Sequence, residues 1–133
     1  MAEAIVKKAE EGKVELQKTS DFKAVPGKGV EARIDKKKIL LGTRKLMDEN
    51  KIPIKELSAD LERLETEGKT AMILSDDKEV LGIIAVADTI KEDSVAAIKM
   101  LNKMNIQTVI ITGDNARVGQ AIAKEVGISE VIA

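Results

Sequence analysis

The sequence contains no cysteine and no histidine. These two absences exclude thiol chemistry, zinc sites built from those residues, and the Ser-His and Cys-His pairs of nucleophilic enzymes. Tryptophan and tyrosine are also absent, and Phe22 is the single aromatic residue, so the chain lacks the stacking platforms that bind single-stranded nucleic acid. We therefore expect no metal site in this chain and no nucleic-acid partner.

Neither sign of charge dominates the chain. Its 133 residues include 22 Lys and Arg against 23 Asp and Glu, and the two signs are interspersed, so no polybasic face is available for nucleic acid or anionic lipid. The longest apolar stretch, Val80 to Ala87, is well short of the roughly 20 residues that a membrane helix needs. Glu3 and Lys7 arrive too early for a signal peptide. We expect a cytosolic segment with no direct membrane contact.

The hydrophobic pattern changes along the chain. Up to about Val86, short alternating strands such as Val30 to Ile34, a turn at Asp35-Lys36-Lys37, and amphipathic helices such as Ile54 to Glu67 predict an antiparallel sheet flanked by helices. From Asp88 onward, a helix at 91–104, a strand at 106–111 and a helix at 115–127 predict a parallel βαβ segment. We therefore predict an α/β (α+β) fold with two domains, 1–87 and 88–133. Because one or two short parallel strands cannot bury both faces of a sheet, we expect a piece of a larger protein.

A polar turn, Thr112-Gly113-Asp114-Asn115, follows the apolar run that ends at Ile111. Small polar turns between a parallel strand and a helix lie where α/β folds bind phosphate-bearing ligands. The residues alone leave two interpretations open, a phosphate site and an ordinary polar loop.

A second glycine motif, Gly27-Lys28-Gly29-Val30-Glu31-Ala32, has the letters of a dinucleotide fingerprint. Pro26 precedes it and alternating strand residues follow it, so no helix is predicted there to hold a pyrophosphate. Paired glycines still let a backbone approach a ligand closely. A ligand-binding loop and a plain hairpin turn are both open.

Five sequence blocks in a fixed order resemble the nucleotide-binding domain and adjoining phosphorylation-domain segment of heavy-metal-transporting P-type ATPases. They cover essentially the whole chain and are Val25 to Val30, Leu41 to Met47, Glu67 to Met72, Gly82 to Lys91, and Ile111 to Asn115. The copper-exporting branch is the most similar. The resemblance implies an antiparallel sheet flanked by helices, followed by a partial haloacid-dehalogenase-like segment. It also implies a cytoplasmic domain of an integral membrane protein.

The same resemblance implies that the ligand is ATP. The implied nucleotide pocket is lined by Gly27, Gly29, Val30, Gly42 and Thr43. Thr112 would donate to the phosphoryl group, and Asp114 would help to hold ATP and Mg²⁺ at the phosphorylation site of the intact parent. The implied partner is the remainder of that ATPase, with its actuator, phosphorylation and membrane domains.

Several motifs of that family do not occur in the sequence. The Asp-Lys-Thr-Gly-Thr phosphoacceptor, the Gly-Asp-Gly-x-Asn-Asp magnesium motif and the Ser-Glu-His-Pro segment are all missing. Since positioning groups carry most of phosphoryl transfer, we expect this chain to bind ATP weakly and not to turn it over. We also expect Gly29→Val to abolish ATP binding while the fold mostly survives.

Two other functions stay open. One is a stand-alone phosphatase-like or receiver-like α/β protein whose reactive carboxylate is Asp114. The other is a non-catalytic interaction module in which the glycine loop is only a turn.

Overall fold

The computed structural model describes residues 2–113 and 115–133, which form helices and strands in the predicted order. The helices are α1 Ala2–Glu11, α2 Arg44–Glu49, α3 Ser58–Thr66, α4 Glu92–Lys103 and α5 Ala116–Val126. The strands are β1 Ser20–Val25, β2 Gly29–Ile34, β3 Lys37–Gly42, β4 Lys69–Ser75, β5 Val80–Ala87, β6 Val109–Ile111 and β7 Glu130–Ile132. The predicted α/β (α+β) class is confirmed.

These elements belong to two compact units. One contains the residues up to Ala59 together with Ala71–Val86, and the other contains Asp60–Thr70 together with Ala87–Ala133. The division into domains 1–87 and 88–133 stays a prediction.

The first unit contains a five-stranded sheet with its strands in sequence order. Strands β1 to β4 pair antiparallel. Asp35 and Lys36 connect β2 to β3 with φ of 49° and 68°, the backbone that a two-residue hairpin requires. This turn fixes the register, which runs from Ile34 opposite Lys37 to Gly29 opposite Gly42.

The core of the first unit lies against β3 and β4. Leu40 and Met47 are fully buried and Ile73 is 1% exposed, so α2 covers the sheet with an apolar face. Ser75 is buried among them, and its Oγ donates to Met47 Sδ at 3.2 Å. This packing holds α2 next to the end of β3.

The second unit contains the parallel pair β6 and β7 together with α4 and α5. Helix α5 begins where the Asn115 Oδ1 accepts the Arg117 N–H at 2.9 Å, and it ends at Gly127 with φ of +83°. Gly119 lets this helix approach the strands, because a Cβ there would lie 3.1 Å from both Thr112 Cγ2 and Val131 Cγ1. The predicted βαβ segment is therefore present.

Strand β6 is shorter than predicted. The Ile106 N–H donates to the Leu101 carbonyl at 3.0 Å, and Asn105 has φ of 56°. These residues close the end of α4 and cannot also extend a strand, so β6 begins only at Val109.

Candidate functional site

The predicted nucleotide residues of the first unit lie together where β2 meets β3. Gly29 and Gly42 are paired in register, and Thr43 follows Gly42 directly. The Thr43 N–H donates to the Lys28 carbonyl at 2.8 Å, which joins the β1–β2 turn to the start of α2. Two segments 15 residues apart in sequence, at Lys28 and Thr43, therefore form one surface.

Gly29 and Gly42 are packed against each other. A Cβ on Gly29, whose φ is +143°, would overlap the Leu41 carbonyl oxygen and lie 2.6 Å from Gly42 Cα. A Cβ on Gly42 would overlap the Lys28 carbonyl oxygen and lie 2.8 Å from Leu46 Cδ2. Both clashes involve backbone, which a side-chain rotation cannot relieve. The packing of β2 on β3 therefore requires both glycines.

This packing corrects the expectation that the fold survives Gly29→Val. A valine there would collide with the neighbouring strand before any ligand came near, so loss of ATP binding in that variant would not identify a ligand contact.

Gly27 has a different environment. It lies in the turn closed by the Lys28 N–H and the Val25 carbonyl, which are 3.0 Å apart, and its φ is +68°. It is exposed, and a Cβ there would meet no atom within 4 Å. Backbone at this position is accessible to a ligand without the screen of a side chain.

Val30 and Thr43 border the glycines. Val30 is half-buried and pairs with Ala24 on one side and Leu41 on the other. Thr43 is exposed at the position before α2, and its side chain makes no capping hydrogen bond to that helix.

An ion pair that the sequence reasoning missed adjoins these residues. Lys28 Nζ lies 2.7 Å from each carboxylate oxygen of Glu49, on α2. The side chain of Lys28 is 27% exposed and that of Glu49 is 42% exposed. Because the two residues are 21 positions apart, no local spacing in the sequence indicates the pair.

Thr112 belongs to the second unit, in the loop that follows β6. Its N–H donates to the Ile132 carbonyl at 2.9 Å, which extends the contact between β6 and β7, and the residue is half-buried. Asp114, the other predicted catalytic residue, lies outside the described residues. The structure thus brings together the five predicted nucleotide residues and places Thr112 in the other compact unit.

Other features of the described chain lie apart from these residues. Surface cavities of about 460, 350 and 340 Å³ are lined by residues outside this group. The pKa of Asp76 is lowered by the Glu79 and Lys78 N–H groups, and that of Glu67 is lowered by Lys69 and Arg63. Among residues 2–113 and 115–133, no cluster of three or more acidic side chains is arranged to hold a metal ion. No helix in the same ranges has the length and apolar character needed to cross a bilayer.

Comparisons with known proteins agree with this architecture. Residues 1–133 match the sequence profile of haloacid dehalogenase-like hydrolases. A copper-exporting P-type ATPase from Staphylococcus aureus (strain JH9) is 52% identical over 134 aligned residues, which cover 100% of this chain and 17% of that protein. The chain thus spans about a sixth of the length of this relative.

Two solved structures share the fold. A zinc-transporting PIB-type ATPase in its E2.Pi state aligns with a TM-score of 0.67 and 33% identity, over 99% of this chain and 21% of that one. The catalytic domain of the CPx-ATPase CopB-B aligns with a TM-score of 0.57 and 23% identity, over 99% of this chain and 44% of that one.

The resemblance to heavy-metal-transporting P-type ATPases is therefore confirmed, and the chain belongs to the haloacid dehalogenase-like hydrolase family.

Proposed function

We propose that this chain binds ATP at the surface formed by the β1–β2 turn and the end of β3. The residues proposed to line this site are Gly27, Gly29, Val30, Gly42 and Thr43. Within an intact copper-exporting P-type ATPase, the chain would present ATP for phosphoryl transfer to an aspartate that this sequence does not contain. The segment would then be part of a cytoplasmic domain of a membrane protein, and the rest of that ATPase would be its partner.

The observation that carries the proposal is the accessible backbone at Gly27. Its positive φ and the empty space where a side chain would stand are the two properties that a backbone-binding ligand loop needs. Packing already accounts for Gly29 and Gly42, whereas no packing contact accounts for the open face of Gly27. A cationic side chain, Lys28, directly follows it.

The residues of the second unit would act in the intact enzyme. Thr112 would donate to the phosphoryl group, and Asp114 would help to hold ATP and Mg²⁺ there. Since phosphoryl transfer depends on positioning groups that the sequence lacks, we expect ATP binding without hydrolysis.

The test is a titration of ATP into the ¹⁵N-labelled chain, followed by amide chemical shifts. We expect weak binding, on the order of millimolar, because the chain has no histidine or second aromatic residue to stack on adenine. The amides of Gly27, Gly29 and Thr43 should respond. Gly27→Leu should remove the response, since leucine would fill the open face while the strand pairing remains.

The matched control is Gly127→Leu. Gly127 also has a positive φ, +83°, and no atom within 4 Å of an added Cβ, but it lies at the end of α5, in the other compact unit. We expect this variant to bind ATP as the unmodified chain does. Equal ATP responses in the two variants would contradict the site.

The remaining functions give other results in the same samples. A phosphatase-like or receiver-like protein would gain the mass of one phosphoryl group at Asp114 when incubated with Mg²⁺ and acetyl phosphate. An interaction module would show no amide response to ATP in any variant.

A further inference from the structure

The ion pair between Lys28 and Glu49 bridges the two segments that form the proposed site. Lys28 lies between Gly27 and Gly29, and its Nζ is 2.7 Å from both oxygens of the Glu49 carboxylate. Both partners thus belong to segments that border the site, although neither is among the predicted nucleotide residues.

The backbone ties this pair to the glycine surface. The carbonyl of Lys28 accepts the Thr43 N–H at 2.8 Å, and it is also the atom that a side chain on Gly42 would strike. Glu49 ends the short helix α2, which begins directly after Thr43 and is held by the buried Met47. Lys28 is therefore held at both ends: its carbonyl accepts the Thr43 N–H, and its ammonium contacts the Glu49 carboxylate.

Solvent reaches this pair, since the two side chains are 27% and 42% exposed. Ion pairs with this exposure are weak and are screened by salt. A polyphosphate carries more negative charge than one carboxylate and presents several oxygens, so it competes well for a lysine ammonium. Once Lys28 has left it, the Glu49 carboxylate repels the same polyphosphate.

We propose that Lys28 exchanges Glu49 for the phosphate chain of the nucleotide, and that Glu49 thereby limits the affinity of this site for nucleotides. This inference rests on the proposed binding of ATP at the glycine surface. It assigns Lys28 as a phosphate contact and Glu49 as an internal competitor that weakens binding. The effect grows with the number of phosphates on the ligand.

The experiment compares Glu49→Gln, Lys28→Met and the double variant in titrations with ATP, ADP and AMP, using the Gly27 amide shift as the readout. Glu49→Gln should bind ATP about two- to fivefold more tightly than the unmodified chain, the upper part of the range for one partly exposed charge interaction. Lys28→Met should bind ATP more weakly by a similar factor, because an unpaired carboxylate then faces the polyphosphate. The gain in Glu49→Gln should shrink from ATP to ADP to AMP.

The double variant tests the same inference without depending on one substitution alone. With both charges removed, ATP affinity should fall below that of Glu49→Gln and lie above that of Lys28→Met. The matched controls are Glu67→Gln and Lys69→Met, which change the net charge equally and disrupt a pair with Nζ–Oε2 of 2.6 Å in the other compact unit. We expect both controls to leave ATP affinity within twofold of the unmodified chain.

A purely structural role of the pair predicts the opposite effect of Glu49→Gln on ATP affinity. If the pair only holds the turn against α2, Glu49→Gln and Lys28→Met both weaken ATP binding, equally for the three nucleotides. That result would overturn the inference and leave the ATP site standing, as would unchanged affinity in Glu49→Gln. If ATP moves no amide in the unmodified chain, the proposed function fails and the inference fails with it.

Discussion

The packing of Gly29 against Gly42 predicts that an alanine at position 29 destabilises the first unit far more than an alanine at position 27. Both glycines have positive φ, +143° and +68°, so both substitutions force a side chain into backbone space that L-residues avoid. Only at Gly29 does the added methyl group also strike the neighbouring strand.

The magnitudes follow from these two costs. At Gly27 the conformational cost alone applies, about 1–2 kcal/mol. At Gly29, overpacking against the Leu41 carbonyl adds about 1–3 kcal/mol to a backbone cost of about 1–3 kcal/mol, for a total of about 2–6 kcal/mol. The centres of the two ranges differ by about 2–3 kcal/mol, a large part of the roughly 5–15 kcal/mol that stabilises a typical domain.

Urea unfolding measures this difference. The chain has no tryptophan or tyrosine, so circular dichroism at the helical band and the amide resonances of β2 and β3 are the suitable signals. With a urea dependence of about 1–3 kcal/mol per molar, Gly29→Ala should unfold at about 0.7–3 M lower urea than Gly27→Ala.

Gly42→Ala is the internal check, because its methyl group would strike the Lys28 carbonyl from the other side of the same contact. It should resemble Gly29→Ala. Equal midpoints for the alanine variants at positions 27, 29 and 42 would refute the reasoning.

Two further predictions concern charged side chains. Arg117 contacts Glu65, whose side chain is 4% exposed, so Arg117→Met should lower the free energy of unfolding in urea by about 1–3 kcal/mol. Arg63→Met, whose partners are exposed, should lower it clearly less. Equal losses in the two variants would contradict the importance of burial. The pKa of Asp76 is lowered from 3.8 by two backbone N–H groups, so the folded state binds its proton less readily than the unfolded chain does, and the stabilisation is present above pH 3.8 and lost as pH falls through the lowered pKa. The urea midpoint of the unmodified chain should therefore fall relative to that of Asp76→Asn below this pH, and a gap that does not change with pH would contradict the assignment.

Local sequence patterns predicted most of the fold. Alternation around Val30 and the turn at Asp35 fixed the β2–β3 hairpin, and Gly127 marked the end of α5, because these signals depend on neighbouring residues. Helix α3 begins at Ser58, later than the predicted start at Ile54, since residues 55–57 form a 3₁₀ turn. Periodicity does not distinguish such a turn from the first turn of an α-helix.

The candidate site was predicted less completely. A glycine motif indicates that a position has no side chain, but it does not indicate whether the missing side chain leaves room for a ligand or for another strand. At Gly27 the missing side chain leaves an open face, whereas at Gly29 it makes room for β3. Only the register that places Gly29 opposite Gly42 distinguishes the two cases. The Lys28–Glu49 pair depends on the same long-range packing and has no local signal.

The contact between Gly29 and Gly42 also affects how related sequences can be interpreted. Selection for a stable sheet alone would keep both glycines, even in a descendant that had lost every nucleotide contact. Their retention in a homologue therefore says little about its ligand. Position 27 is more informative. The fold requires there only a residue that adopts a left-handed backbone conformation, and asparagine also does so. A bulky residue at this position would therefore indicate a lineage in which the open face no longer binds a ligand.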